Sequence, residues 1–340
     1  MHMADALLSP TVGAVMWSAT AVVTAYSARK VQSQLDNKKI PLMGAIGAFV
    51  FAAQMINFAI PGTGSSGHLG GGLLLAILLG PHAAFLTLAS VLTVQALFFA
   101  DGGLLALGCN IFNLGFLPCY ICYPLIFKKI VRNNTDQKLL ITGSIVAAIV
   151  GLQLGSLGVV LQTYFSNITA LPFTSFLIIM QPIHLVIGLV EGIATAGIVS
   201  FIWKARPEFL AIAAKDQPLG NPSIKSLIAG FLIIAAITGG VLAWFASEHP
   251  DGLEWSIDRV AGSQPLESSG NIHKSLENVQ KKTTILPEYG FKNSGNITTQ
   301  DHSPTSLRAG TTVSGILGGI LIMASSILIS LLLKKRNTIS

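Results

Sequence analysis

Apolar residues in this chain run in long blocks separated by short polar stretches. The blocks extend approximately from Pro10 to Ser27, Ile40 to Ile60, Leu69 to Leu79, Ala83 to Ala100, Leu104 to Phe127, Leu139 to Phe165, Ser175 to Trp203, Ser226 to Ala246 and Val313 to Leu333. No Asp, Glu, Lys or Arg lies between Lys39 and Asp101, and Glu191 is the only one between Lys138 and Lys204. Blocks of this length match membrane helices of about 20 residues, and in lipid only helices or closed barrels satisfy their own backbone groups. Barrel strands would alternate polar and apolar residues, which these blocks do not. The pattern predicts an all-α integral membrane protein.

The basic residues orient it. Arg29, Lys30, Lys38 and Lys39 mark one loop as cytoplasmic, Lys128, Lys129, Arg132 and Lys138 a second, Lys204 and Arg206 a third, and Lys334, Lys335 and Arg336 the C-terminus. Between the first two clusters the chain must cross an even number of times. Four crossings fit if Leu69 to Leu79, too short to span unaided, crosses while buried by its neighbours. Nine spans follow, with the N-terminus outside and the C-terminus in the cytoplasm. Residues 1–205 form a seven-helix bundle, 206–225 a hydrophilic cytoplasmic linker, and 226–340 two further helices flanking an external segment, 247–312. That segment is rich in Ser, Asn, Thr and Gly and is expected to be largely irregular.

Composition agrees. The chain is 51% hydrophobic and 11% charged, with a mean hydropathy of +0.65, whereas soluble domains are about 25% charged. The net charge of +6 belongs to loops that orient helices and points to no nucleic acid. Cys109, Cys119 and Cys122 fall in or beside one apolar block, and the CxxC at Cys119–Cys122 has no second pair, so they read as packing residues. A cleavable leader is not expected, because Arg29-Lys30 follows the first apolar block and no basic stretch precedes it. No GxxxxGK[ST] phosphate loop is present.

Chemistry enters at the first residues, "MHMAD". A free Met1 amine, the His2 backbone nitrogen and the His2 Nδ1 can close two fused chelate rings, of five and six members, on one metal ion. Three nitrogens then lie in a plane with a fourth corner vacant. Planar nitrogen donors suit Ni²⁺ or Cu²⁺, whereas Zn²⁺ prefers a tetrahedron. On the same side of the membrane, "PGTGSSGHLGGG" holds six glycines in twelve positions around His68. Irregular backbone at membrane depth is tolerated only where protein buries it or a cavity wets it. His68 is therefore a candidate fourth ligand, set against a histidine that caps a helix and a tail that happens to read MH.

Asn57, Gln95, Asn110 and Asn113 lie near the same helix ends. They either orient His68 and the N-terminal loop or join helices. Asp101 reads as a structural turn residue, and His82 as too distant to be a ligand. His184 and Glu191 share a helix face and read as a mutual or interhelical hydrogen-bond partnership rather than a proton relay. His249, His273 and His302 read as solvated. Ala21 and Ala25, with Ala14, Ser18 and Ala28, form a small-residue face suited to close helix contact, inside the bundle or against a partner.

"MHMADALLSP", "NFAIPGTGSSGHLGGGLLLAILLGPHAA", "VQALFFADGGLLALGCNIFNLG" and "HLVIGLVEGI" together resemble the NikM/CbiM family of substrate-specific components of energy-coupling-factor transporters. "HPDGLEWS", His249 to Ser256, resembles the accessory NikN component, so the chain looks like a NikMN-type fusion. The resemblance implies an N-terminal segment tucked into the bundle and a square-planar metal site made by the Met1 amine, the His2 amide and imidazole, and the His68 imidazole. It also implies a transmembrane coupling partner, with Ala21 and Ala25 as a docking face, and separate ATP-binding subunits. One departure stands out. The family more often opens MHIP-D/E-G, and here Met3-Ala4-Asp5-Ala6 lacks that proline and glycine.

The expectation is a non-enzymatic import component for Ni²⁺ or Co²⁺, nickel favoured, with the metal as transported substrate and no cofactor. A passive metal channel is one rival. A membrane metalloprotease is another, and the absence of HExxH counts against it.

Overall fold

The computed structural model describes residues 1–33, 39–132, 136–214, 224–262, 270–292 and 304–335. His302 and Lys38 lie outside them, as do residues 215–223 of the stretch read as a linker. After a short 3-10 turn at Asp5–Leu7, helix α1 runs from Pro10–Ser33 and α2 from Lys39–Gln54. A two-stranded antiparallel hairpin follows, β1 at Phe58–Ile60 and β2 at Ser65–Gly67, with Phe58 paired to Gly67. Its turn contains Gly62 and Gly64, both at φ of +76°, a region that L side chains enter at a steric cost. The periodicity of the apolar blocks gave no sign of this hairpin.

Helix α3, Gly72–Leu79, is buried at every position. Its eight residues rise only about 12 Å, so it is an internal element and cannot bridge a hydrocarbon layer of about 30 Å unaided. Helix α4, Pro81–Phe99, and α5, Leu107–Val131, both contain widened turns. In α5 the widened stretch, Phe112–Phe127, includes Pro118 and Pro124, which lack the N–H that an ordinary turn would donate. The hairpin of α6, Gln137–Ser166, and α7, Phe173–Ala205, makes the most extensive helix contact in the molecule.

A short helix α8, Pro207–Ala214, follows where a linker was expected, with Phe209 buried. Helix α9, Lys225–Gly240, and the long α12, Pro304–Lys335, pack on α2 and on each other. With these neighbours α2 is buried continuously from Leu42 to Gln54, as an all-round apolar helix must be. Among the described residues, six helices are long and apolar enough to cross a membrane, by length and composition.

The segment between α9 and α12 is not largely irregular. It carries α10, Gly252–Ala261, and α11, Asn271–Thr283, both strongly amphipathic, and these lie over one end of the bundle. Low apolar content misled the reading, because a helix that covers a polar surface needs only a narrow apolar stripe. His273 on α11 is buried, not solvated, and its Nε2 lies 2.9 Å from the Leu8 carbonyl. His249 is exposed.

On α1, Gly13, Thr20, Ser27 and Val31 face the bundle, while Ala14, Ser18, Ala21 and Ala25 are exposed. Of the small-residue face, Ala28 packs partly against the core and the other four positions are turned away from it. All three cysteines are buried free thiols.

Candidate metal site

The first three residues are folded into the end of the bundle. Met1 is 5% and Met3 0% exposed. Asn110 on α5 holds Met3 from both sides, its Oδ1 accepting the Met3 N–H at 2.8 Å and its Nδ2 donating to the Met3 carbonyl at 3.3 Å. The Gly103 N–H also donates to that carbonyl, at 2.9 Å. Asp5 then caps the loop after α4 by accepting the Ala106 N–H at 2.9 Å. The turn that lacks proline and glycine is thus made as one 3-10 turn anchored by a carboxylate.

This anchoring brings the Met1 amine to 2.9 Å from His68 Nε2. His68 directly follows β2, and its Nδ1 lies 3.1 Å from the Leu69 carbonyl. A carbonyl can only accept, so Nδ1 carries the proton and Nε2 presents its lone pair to the amine. Three hydrogen bonds from two side chains fix the backbone beyond. Glu191 on α7 accepts the Gly70 and Gly71 N–H groups at 2.9 and 3.0 Å, and Gln54 donates to the Gly70 carbonyl at 2.8 Å. Gln95 in turn donates to Gln54 Oε1 at 2.9 Å.

The His2 ring stacks on His68, with centroids 5.0 Å apart and planes 14° from parallel. Its Nδ1 lies 3.2 Å from Asp101 Oδ1, and its Nε2 is buried without a hydrogen-bond partner. Nδ1 therefore faces a carboxylate here, and joining a chelate through Nδ1 requires the ring to turn away from it. Asp101 is more than a turn residue. It also accepts the Tyr289 hydroxyl at 2.6 Å, which ties the segment after α11 to His2.

A residue with no predicted role completes the cluster. Asp251 Oδ2 lies 2.6 Å from the Met1 amine and 3.8 Å from His68 Nε2. Its other oxygen, Oδ1, accepts the Leu253 and Glu254 N–H groups at 2.8 and 2.9 Å, the N-cap of α10, with Glu254 closing a capping box. The "HPDGLEW" stretch is read directly from this geometry. Ser66 on β2 donates its N–H to the Pro250 carbonyl at 2.8 Å and its hydroxyl to the His249 carbonyl at 2.7 Å. Leu253 is buried, and Trp255 Nε1 donates to the Thr63 carbonyl at 3.1 Å. A Cβ at Gly252 would lie 2.9 Å from Ile187 Cδ1 and 3.2 Å from His184 Cε1, so both side chains would have to give way.

Electrostatics follow from burial. Burial, then the charges at Met1 and His2, lower the pKa of His68, and burial lowers that of His2 despite Asp101. Both imidazoles are neutral donors near pH 7. Burial alone would raise the Asp251 carboxyl, but the Met1 ammonium, His68 and the capping bonds outweigh it and hold it well below the usual carboxylate range. The cluster borders a cavity of about 520 Å³ that is also lined by Asp5, Asp101, Glu254, Glu277 and Glu288, and by no Lys or Arg. A cleft of that composition concentrates cations.

Other predicted residues sit elsewhere. Asn113 exchanges hydrogen bonds with Gln162 on α6, at 2.8 and 3.0 Å, and joins helices. Asn57 lines the cavity, and its carbonyl accepts the Ser247 N–H at 2.7 Å. His82 Nδ1 lies 2.7 Å from the Tyr120 hydroxyl, away from the cluster. His184 and Glu191 do not bond to each other, for His184 Nδ1 donates to Met180 O at 2.8 Å. The roles of Asp251 and Asp101 escaped the sequence. The spacing Asp251-x-x-Glu254 announces a helix start, but nothing local says what lies opposite it.

Comparisons with known proteins bear on this arrangement. The profile of the CbiM family, described as a cobalt uptake substrate-specific transmembrane region, matches residues 2–209, and that of the PDGLE domain matches residues 225–335. A protein of Archaeoglobus fulgidus, provisionally assigned as a fused nickel transport protein NikMN, is 33% identical over 95% of this chain and 96% of its own. The fused nickel transport protein NikMN of Rhodobacter capsulatus is 30% identical, over 62% of this chain and 64% of its own. A crystal structure of a truncated transition metal transporter superposes with a TM-score of 0.54 at 31% identity, covering 60% of this chain and 99% of that one.

Proposed function

We propose, since this chain belongs to the CbiM family of substrate-specific transmembrane transport components and carries a PDGLE domain, that it is the metal-capturing component of a nickel importer. Its helices and its family make it a multi-pass membrane protein, and its relatives are nickel and cobalt transport components. The finer reading is that Ni²⁺ is held by the Met1 amine, the His2 amide and imidazole, and the His68 imidazole. The observation that carries it is the burial of the N-terminus with its amine 2.9 Å from an unprotonated His68 nitrogen. A flexible tail would gain nothing from such burial, which costs conformational entropy.

Nitrogen donors in a plane favour nickel. Cobalt is the second reading, favoured by the names of several relatives. The capture site faces outward and the C-terminus lies in the cytoplasm. Arg29 and Lys30, and Lys128 and Lys129, stand at the ends of α1 and α5 remote from Met1, as the positive-inside rule requires. Nine passages, with α2 and α3 buried by their neighbours and α1 at the edge of the bundle, complete the topology. A transmembrane coupling subunit would dock on the exposed Ala21 and Ala25 face, and separate ATP-binding subunits would drive release inward.

One added residue before Met1 tests the site. His2 and the fold survive that change, while the amine moves out of chelating reach. Isothermal titration of the purified chain with Ni²⁺ should then show binding lost, and full-strength binding by the extended chain would refute the reading.

A further inference from the structure

The Met1 amine, His68 Nε2 and Asp251 Oδ2 form a triangle with sides of 2.6, 2.9 and 3.8 Å. The angle at the amine is about 90°, so the point equidistant from the three atoms lies about 1.9 Å from each, half the 3.8 Å side, where a bond from nitrogen to a divalent ion is about 2.0 Å. Donors at that bond length stand about 2.8 Å apart when adjacent and about 4.0 Å apart when opposite. The three atoms therefore already occupy three corners of a square, with the amine between an imidazole and a carboxylate that oppose each other. Asp251 is placed by its own constraints. Its Oδ1 is committed to the cap of α10, and the Ser66 bonds to Pro250 and His249 fix the chain before it.

From this geometry we propose that Asp251 is a metal ligand of the capture step, an oxygen donor that the second unit contributes to the site in the first. The inference rests on the reading that the amine and His68 bind the metal, and it adds a sequence to it. In two fused chelate rings the amine and the His2 amide are neighbours, the amide and the imidazole are neighbours, and an outside donor stands opposite the amide. His68 is that outside donor, so the corner opposite His68 belongs to the amide in the closed planar set. Asp251 holds the same corner now. An arriving ion first meets the Met1 nitrogen, which gives up its ammonium proton to solvent, with the imidazole and the carboxylate, a set that needs no amide proton to leave. The His2 amide then loses its proton to solvent and takes the corner, and Asp251 Oδ2 leaves the ion while Oδ1 stays on the cap of α10. The unpartnered His2 Nε2 and the 3.2 Å contact of Nδ1 with Asp101 fit an imidazole that joins only in this second stage.

Stopped-flow mixing of the full purified chain with Ni²⁺, read by the absorption of the bound ion, separates the stages. Asp251→Asn keeps a side chain that caps helices but removes the anionic oxygen. Association should slow by at least tenfold, while the final spectrum stays that of the unmodified chain. Asp251→Ser, another capping residue, should behave the same way and guards against a folding defect in one variant. Glu254→Gln removes one charge from the same cavity and leaves Asp251 in place, and should slow association less than threefold. An Asp251→Asn rate equal to that of the unmodified chain, or a Glu254→Gln rate as slow as that of Asp251→Asn, would overturn the proposal, the latter showing general attraction rather than ligation. His68→Ala reports separately on the underlying site. If that variant binds Ni²⁺ normally, the amine and His68 reading fails and the Asp251 proposal falls with it.

Discussion

The Met1 amine is gripped from two sides, and the two grips are built differently. His68 arrives on a glycine hairpin whose backbone is braced from inside the bundle by Glu191 and Gln54. It is neutral, with its tautomer fixed by the Leu69 carbonyl. Asp251 arrives on the first turn of α10, which is docked on the hairpin by Ser66, Thr63 and the buried Leu253. It is charged, and one of its oxygens serves its own helix. The contrast is one of chemistry and support. The segment matching the first family presents a neutral nitrogen braced from within the bundle, and the segment matching the second presents a charged oxygen braced by its own helix cap.

The largest effect should come from breaking the rigid grip. His68→Ala removes the proposed metal donor and should weaken Ni²⁺ binding by more than about 100-fold, some 2.7 kcal/mol, with near-normal thermal stability of the detergent-solubilised chain. Unchanged affinity would remove the hairpin from the site. Next in size, Glu191→Gln turns an amide donor toward the Gly70 and Gly71 N–H groups. Affinity should fall about 10- to 100-fold, the usual cost of disturbing a group that supports a ligand, and titration calorimetry checks this. A fall as deep as that of His68→Ala would mean that the whole loop had collapsed.

Smaller effects sharpen the other side. Trp255→Phe removes only the bond to the Thr63 carbonyl and should cost about 1 kcal/mol of docking, seen as faster amide hydrogen exchange in α10 with Ni²⁺ affinity unchanged. Acidification should also act weakly and in one direction. His2 and His68 are held below the unfolded histidine value of about 6.5. Their contribution to stability is complete above that pH and is lost as pH falls toward their folded values. Between pH 7.5 and 5 the melting temperature of the metal-free chain should drop by about 2–4 °C, and His68→Ala should reduce the drop. A rise on acidification would contradict the burial of both rings.

Much of this was legible in the sequence because the physics was local. Long apolar blocks could only be helices, and the bounds of α6 and α7 fall within two residues of the blocks that predict them. Donor chemistry raised "MH" and His68 as candidates for one site, and it took the family resemblance to join them. What could not be read was long-range and polar. Asp251 lies 250 residues from the amine it touches, and its only local signal, a capping box, announces a helix without its destination. The helices over the site were missed because α11 is polar on average, and its apolar stripe is visible only once the surface beneath it is known. Asp101 was misjudged for the opposite reason, since a turn explains an aspartate well enough without a neighbour.

The buried first nitrogen carries one more implication. A blocking group there, whether a residual formyl, an acetyl or a fused tag, would have to displace either Asp251 or His68 from contacts of 2.6 and 2.9 Å. On the proposed metal site, the maturation machinery that trims nascent chains would therefore set whether a given copy binds metal, and two copies with identical genetic coding would differ in competence.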